Sequence, residues 1–144
     1  MFNYKAERSD VLKDVKIFTP ETHTDYRGTM WTHWEWPMDT PQQKISKFTY
    51  SRKNVLRGLH GDDVSWKHIT CVYGAFYLVV PPSFLNGHLC LSSECVFHYT
   101  QSYPDEYVDW EEQISVNWND PMLKINWPTN NPILSKRDKN GKDT

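Results

Sequence analysis

The stretch Asn54 to Asp62, NVLRGLHGD, does not end like a strand running into solvent. Turn residues would come first in such a strand. Here a guanidinium (Arg57) and an imidazole (His60) are delivered before the chain breaks at Gly61-Asp62. A histidine, with an unperturbed pKa of about 6.5, can take and return a proton near neutrality. An arginine fork matches carboxylates and phosphates in two-point contact. Taken alone, a histidine at a strand end is more often a packed passenger than a base, so the surrounding residues must decide. Metal chemistry is not expected. The six histidines, at 23, 33, 60, 68, 88 and 98, form no H-x-H pair, and His60 and His68 are separated by the Gly61-Asp62 turn.

The elements that must position these groups read as strands. Short runs rich in Val, Ile, Thr, Tyr, Phe and Trp recur between turn signals: DVKIFTP, GTMWTHWEW, KISKFTYS, NVLRGLH, HLCLSS, CVFHYTQSY, EQISVNW and LKINWP. HITCVYGAFYLVV reads as a buried strand interrupted at Gly74 by a bulge or tight turn. Pro81-Pro82 must end it, because neither residue can donate to a ladder. Helical periodicity is scarce. The pattern predicts an antiparallel sandwich or small barrel, as one domain over residues 1–144 with a charged, flexible tail from about residue 139.

The chain's 144 residues suffice for one core without staples. Sixteen basic against eighteen acidic side chains give a net charge of −2, which argues against a general nucleic-acid binder but not against a local basic pocket. Three scattered cysteines (71, 90 and 95) with no CxxC read as free thiols in a reducing compartment. The polar start MFNYKAERSD does not read as a signal peptide, and no apolar run approaches the ~20 residues of a membrane span. The expectation is a cytoplasmic protein that binds neither membrane nor nucleic acid.

Several motifs in order resemble the dTDP-4-dehydrorhamnose 3,5-epimerase family of nucleotide-sugar epimerases. These are DYRG (25–28), VLRGLH (55–60), KHITCVYG (67–74), PPSFLNGHLCLSS (81–93), WNDPMLKINWP (118–128) and ILSKRD (133–138). The resemblance implies an all-β jelly-roll (cupin) fold, a homodimer, no cofactor, and a nucleotide-diphospho-sugar substrate. It implies inversion at C3, C5 or both of a 4-keto sugar through an enolate. That chemistry needs a base, a cation or donor at the enolate oxygen, and an acid across the ring.

Carried over position by position, the resemblance makes His60 the base and Asp138 the carboxylate that orients it. Lys67 becomes the enolate stabiliser and Tyr99 the proton donor, with Tyr103 and Tyr107 as neighbouring alternatives. Arg27, Lys47, Arg57, Asn86 and His88 become substrate contacts, the arginines at phosphate. On a regular strand, Arg57 and His60 would point to opposite faces, so placing both at substrate demands a bend or bulge at Gly58.

The chain also departs from the family pattern. Asn86 stands where the family's P-x-x-F-x-H-G-F has its histidine, and His88 follows two residues later. Lys47 stands where a polar amide is usual. These changes resemble a branch acting on 4-keto-heptoses or other 6-modified sugars, GDP-linked ones included. Two family strands are missing between Val80 and Pro81. The alternatives are a non-catalytic sugar-nucleotide-binding shell and a 3,4-ketoisomerase of the same fold.

Overall fold

A computed structural model describes residues 4–8, 15–33, 42–79, 85–108 and 111–143. The chain divides into two compact units, Met1–Thr40 and Pro41–Thr144.

The first unit holds two antiparallel pairs. Strand β1 (Tyr4–Arg8) lies along β2 (Lys16–Pro20), and β3 (Thr22–Asp25) pairs with β4 (Gly28–Trp31). The turn between β3 and β4 explains DYRG. Asp25 accepts from the Arg27 backbone N–H at 2.8 Å and from its guanidinium, while Gly28 takes φ +131°. GTMWTHWEW, expected as one strand, forms β4 only as far as Trp31; residues 34–40 lie outside the described residues.

The second unit is built from two antiparallel sheets. One has the order β5 (Gln43–Arg52), β10 (Glu94–Ser102), β7 (Trp66–Tyr73). The other runs β11 (Ile114–Ser115), β6 (Leu56–Gly61), β9 (Asn86–Cys90), β8 (Phe76–Val79). Rings from the two sheets meet: His88 of β9 stacks on Phe97 of β10 at 4.1 Å, and Phe76 of β8 lies 5.3 Å from Phe97. The architecture is all-β, as expected.

The run expected as one buried strand with a Gly74 interruption is two strands in two sheets. Gly74, at φ +75°, makes the turn between β7 and β8. The burial expectation needs correcting as well, since Cys71, Val72 and Tyr73 are exposed. LKINWP is not a strand. Lys124 sits at φ +50°, which breaks an extended run, and the Trp127 indole donates to the Trp118 carbonyl at 2.7 Å. The segment packs instead as irregular chain. Trp127 joins Leu56, Leu59, Leu85, Leu89 and Val116 in the hydrophobic core. The missing strands expected between Val80 and Pro81 fall on residues outside the described ones.

The C-terminal segment is tied along β6. Leu56 donates to the Ile133 carbonyl and Ile133 donates to that of Asn54, a parallel bridge beside Val55. Ser135 then caps the one-turn helix α1 (Lys136–Lys139). Past the helix, where a flexible tail was expected, Lys142 forms a parallel bridge with Val116.

Candidate active site

β6 carries Leu56 and Leu59 into the core, both fully buried, while Arg57 and His60 line a cavity of about 200 Å³. A regular strand cannot send residues three apart to one face. The break sits at Gly58, where the β6–β9 register shifts between Arg57 and His60. Gly58 takes φ +129°, and a Cβ there would come within 2.8 Å of the Asn86 carbonyl oxygen. Only glycine fits this point, and the bend expected from the sequence is found there.

Gly61 and Asp62 then end the strand. Asp62 Oδ1 accepts from the backbone N–H groups of Val64 (3.1 Å) and Ser65 (2.6 Å), a tight turn that sets the start of β7 and so the position of Lys67.

His60 Nε2 lies 2.7 Å from Asp138 Oδ1, with the histidine side chain 20% exposed and the aspartate 3%. The approach is close but off the line of an aligned N–H hydrogen bond. Two further groups hold Asp138. The Ser135 hydroxyl donates to Oδ2 at 2.7 Å while its own Oγ accepts from the Asp138 backbone N–H, and the Gly58 N–H reaches Oδ1 at 3.4 Å. Burial pushes this carboxyl's pKa up. The close approach of His60 and the Ser135 hydrogen bond, with the Gly58 amide, outweigh burial and hold it below its ordinary value. The serine of ILSKRD is therefore both the helix cap and the clamp on the carboxylate.

Among the described residues, four cationic side chains line the cavity: Lys47, Arg57, Lys67 and Arg137. Burial lowers the Lys67 pKa. Asp62 opposes that fall, and the charges of Arg137 and Lys47 add to it. Arg57 spends part of its fork inside the protein, on Ser51 Oγ (3.1 Å) and the Tyr50 carbonyl (3.3 Å). Such a site suits an anion or a developing oxyanion.

Tyr99 of β10 lines the cavity opposite β6. Its pKa is raised by burial, a shift the neighbouring Lys47 charge resists. Lys47, across the ladder from Tyr99, donates to the Tyr107 hydroxyl at 2.9 Å. Tyr107 therefore shares the cavity with Tyr99, whereas Tyr103 is packed against Tyr107 and is buried. Asn86 and His88, two apart on β9, line the cavity from beside β6.

Of the residues singled out from the sequence, the second unit brings together His60, Asp138, Lys67, Tyr99, Lys47, Arg57, Asn86 and His88. Arg27 belongs to the first unit, where its guanidinium is engaged by Asp25. Thr49, Phe97, Gln113 and Arg137 also line the cavity and were not singled out. Strand alternation gives a signal for two of them: Thr49 is two residues from Lys47, and Phe97 two from Tyr99. Arg137 adjoins Asp138. Gln113 carries no such signal. Among the described residues, no group of three or more His, Cys, Asp or Glu side chains is arranged to hold a metal ion.

A polar hollow between two antiparallel sheets, with a carboxylate-held imidazole at its wall, is a cupin-type arrangement. Known proteins share its fold. Residues 75–144 match the family model for dTDP-4-dehydrorhamnose 3,5-epimerase. The dTDP-4-dehydrorhamnose 3,5-epimerase of Escherichia coli K12 is 27% identical over 168 aligned residues, covering 88% of each chain. The dTDP-4-dehydrorhamnose 3-epimerase of Streptomyces niveus is 29% identical, covering 88% of this chain and 78% of its own. Both aligned stretches are longer than this chain, so the relatives carry insertions. The dTDP-6-deoxy-D-glucose-3,5-epimerase of Legionella pneumophila Philadelphia 1, solved with dTDP-4-keto-L-rhamnose, shares the fold. It superposes with a TM-score of 0.85 at 22% identity, covering 98% of this chain and 93% of that one. The chain is similar to members of the dTDP-4-dehydrorhamnose 3,5-epimerase family.

Proposed function

We propose that the protein inverts C3, C5 or both of a nucleotide-diphospho-4-keto sugar, a 6-deoxy-hexose or a heptose, without a cofactor. The observation that carries this reading is the His60–Asp138 pair, 2.7 Å apart, at the wall of a cavity that Lys67 and Tyr99 also line.

Asp138 faces Nε2, so a proton held there leaves the lone pair of the base on Nδ1. His60 takes the proton from the carbon beside the ketone. The C–H electron pair moves into an enolate, and negative charge develops on the C4 oxygen. The imidazolium formed is stabilised by Asp138, and Lys67 stabilises the oxygen. Tyr99 returns a proton from its hydroxyl to the other face of the carbon, and the phenolate is reprotonated from solvent. Lys47, beside both phenols, favours the phenolate that this step leaves.

Arg57, Lys47, Asn86 and His88 hold the sugar and the phosphate next to it. A hollow of about 200 Å³ is small beside the roughly 300–1,000 Å³ of sites that enclose a drug-sized ligand. On this reading it houses the sugar, and the nucleotide extends outward.

The homodimer and the cytoplasmic location belong to the same proposal. Phe48 and Tyr50, on one face of β5, are 68% and 54% exposed, which suits cover by a second copy. The three cysteines are free, as in a reducing compartment. Among the described residues, no helix is long and apolar enough to cross a membrane.

Product analysis tests the activity. The protein is incubated with a 4-keto sugar nucleotide, the products are reduced with borohydride, and ring proton couplings are read by NMR. Inverted C3 or C5 centres are expected. A ketone moved to C3 would make it the ketoisomerase, and binding with unchanged sugar would leave only a binding shell.

A further inference from the structure

The place given to His88 at the sugar leaves the task of its buried ring nitrogen open. His88 is 4% exposed and lines the cavity, yet its Nε2 has no hydrogen-bond partner among the described residues. A buried imidazole nitrogen left unpaired is costly, and native structures seldom keep one without a reason. The ring is not free to turn away. It stacks on Phe97 with centroids 4.1 Å apart and planes 5° from parallel, and Phe76 closes in at 5.5 Å. Nearby polar groups are already engaged: Arg57 with Ser51 and Tyr50, and Asp138 with Ser135, Gly58 and His60. Asn86, at the position of the family motif's histidine, donates its amide to the His60 carbonyl at 3.2 Å. That amide therefore braces β6 against β9 and has one fewer donor for a ligand.

Burial, with the Arg57 charge, lowers the His88 pKa to about 4, so the ring is neutral at neutral pH. A neutral imidazole that keeps its proton state reads hydrogen bonds and shuttles no proton.

We infer that His88 is a specificity residue whose Nε2 hydrogen-bonds a hydroxyl of the sugar close to the inverted centre, so that the protein selects a substrate hydroxylated at that position over its deoxy counterpart. The inference rests on the epimerase reading for the identity of the ligand. Residue 88 is phenylalanine in the motif the chain resembles, so His88→Phe exchanges the polar atom for a ring that can keep the stack on Phe97.

The test uses pairs of 4-keto sugar nucleotides that carry or lack one hydroxyl, at C2, C3 or C6. For each pair, kcat/KM for solvent exchange and Kd by calorimetry are measured on the wild type, His88→Phe and His88→Gln, with melting curves to establish folding. At one position the wild type is expected to favour the hydroxylated member by at least about a hundredfold, since sites built to bond a hydroxyl reject analogues lacking it strongly. His88→Phe is expected to bring that ratio near one, and His88→Gln to restore part of it. No preference at any position in the wild type, or a preference that survives in folded His88→Phe, overturns the inference. In the latter case Nε2 merely holds a water. If the wild type exchanges no substrate, the epimerase reading fails, while the Kd ratios still decide the role of His88.

Discussion

The two faces of the β11–β6–β9–β8 sheet are made by the same few strands and do opposite things. One face presents Leu56, Leu59 and Leu89, with Val116 and Trp127 packed on them; the other presents Arg57, His60, Asn86 and His88. Neighbours in sequence are thus divided between a core that gains by losing water and a cavity wall that loses by it. The wall is tolerated because its charged groups are paired or point into a polar hollow, and because the apolar face supplies the folding free energy. Stability and chemistry should therefore separate cleanly when one face is changed at a time.

The largest expected effect is on the cavity face. His60→Asn should cut the exchange rate by about 10²–10⁴-fold, the usual contribution of a positioned base, while leaving the melting temperature close to wild type. Stopped-time NMR and calorimetry on one sample check both halves. A large loss of stability would break the separation.

The reverse experiment is Leu59→Ala. It should cost about 2–5 kcal/mol in denaturant unfolding, since this leucine is fully buried, and leave kcat per folded molecule within a few-fold of wild type.

Tyr99→Phe sharpens the division of labour within the cavity. Proton removal by His60 should persist, so deuterium still enters the substrate. Inversion should fall by about tenfold or more as the carbanion is requenched from the face it left. Equal loss of exchange and inversion would move Tyr99 out of the acid's role.

Acid stability gives a separate test, confined to a narrow pH window. His88 titrates at about 4 when folded, against 6.5 for the free group. The unfolded chain therefore binds more protons between those values. The contribution of His88, about 3 kcal/mol, is present above pH 6.5 and is lost as pH falls toward 4. Asp138, whose folded pKa is lowered, loses its contribution only below its ordinary value of 3.8. Unfolding titrations of His88→Phe should flatten the first window and leave the second.

How much of this was legible in the sequence differs along the chain. The strands around the site, the bend at Gly58 and the meeting of His60 with Asp138 could all be stated from motifs and strand alternation, because each is imposed locally or by a short ordered signature. Arg137 could not, because its entry to the cavity depends on the parallel bridge at Ile133 that swings a one-turn helix alongside β6. Strand periodicity sees no such long-range pairing. LKINWP was misread for the opposite reason: its alternation is that of a strand, but Lys124 at positive φ breaks the extension and the apolar residues reach the core from irregular chain. Tyr107 lies past Pro104 outside the strands, and a hydrogen bond from Lys47 ties it to the site.

The central claim is that His60, held by Asp138, removes a proton from the carbon next to a ketone. Its most direct measurement is deuterium incorporation, followed by proton NMR, into a nucleotide-diphospho-4-keto sugar in D₂O with the wild type and His60→Asn side by side. The account predicts loss of the C3 or C5 proton signal with the wild type and essentially none with the variant. A folded wild type that leaves both signals intact, or a variant that exchanges as fast as the wild type, would contradict it.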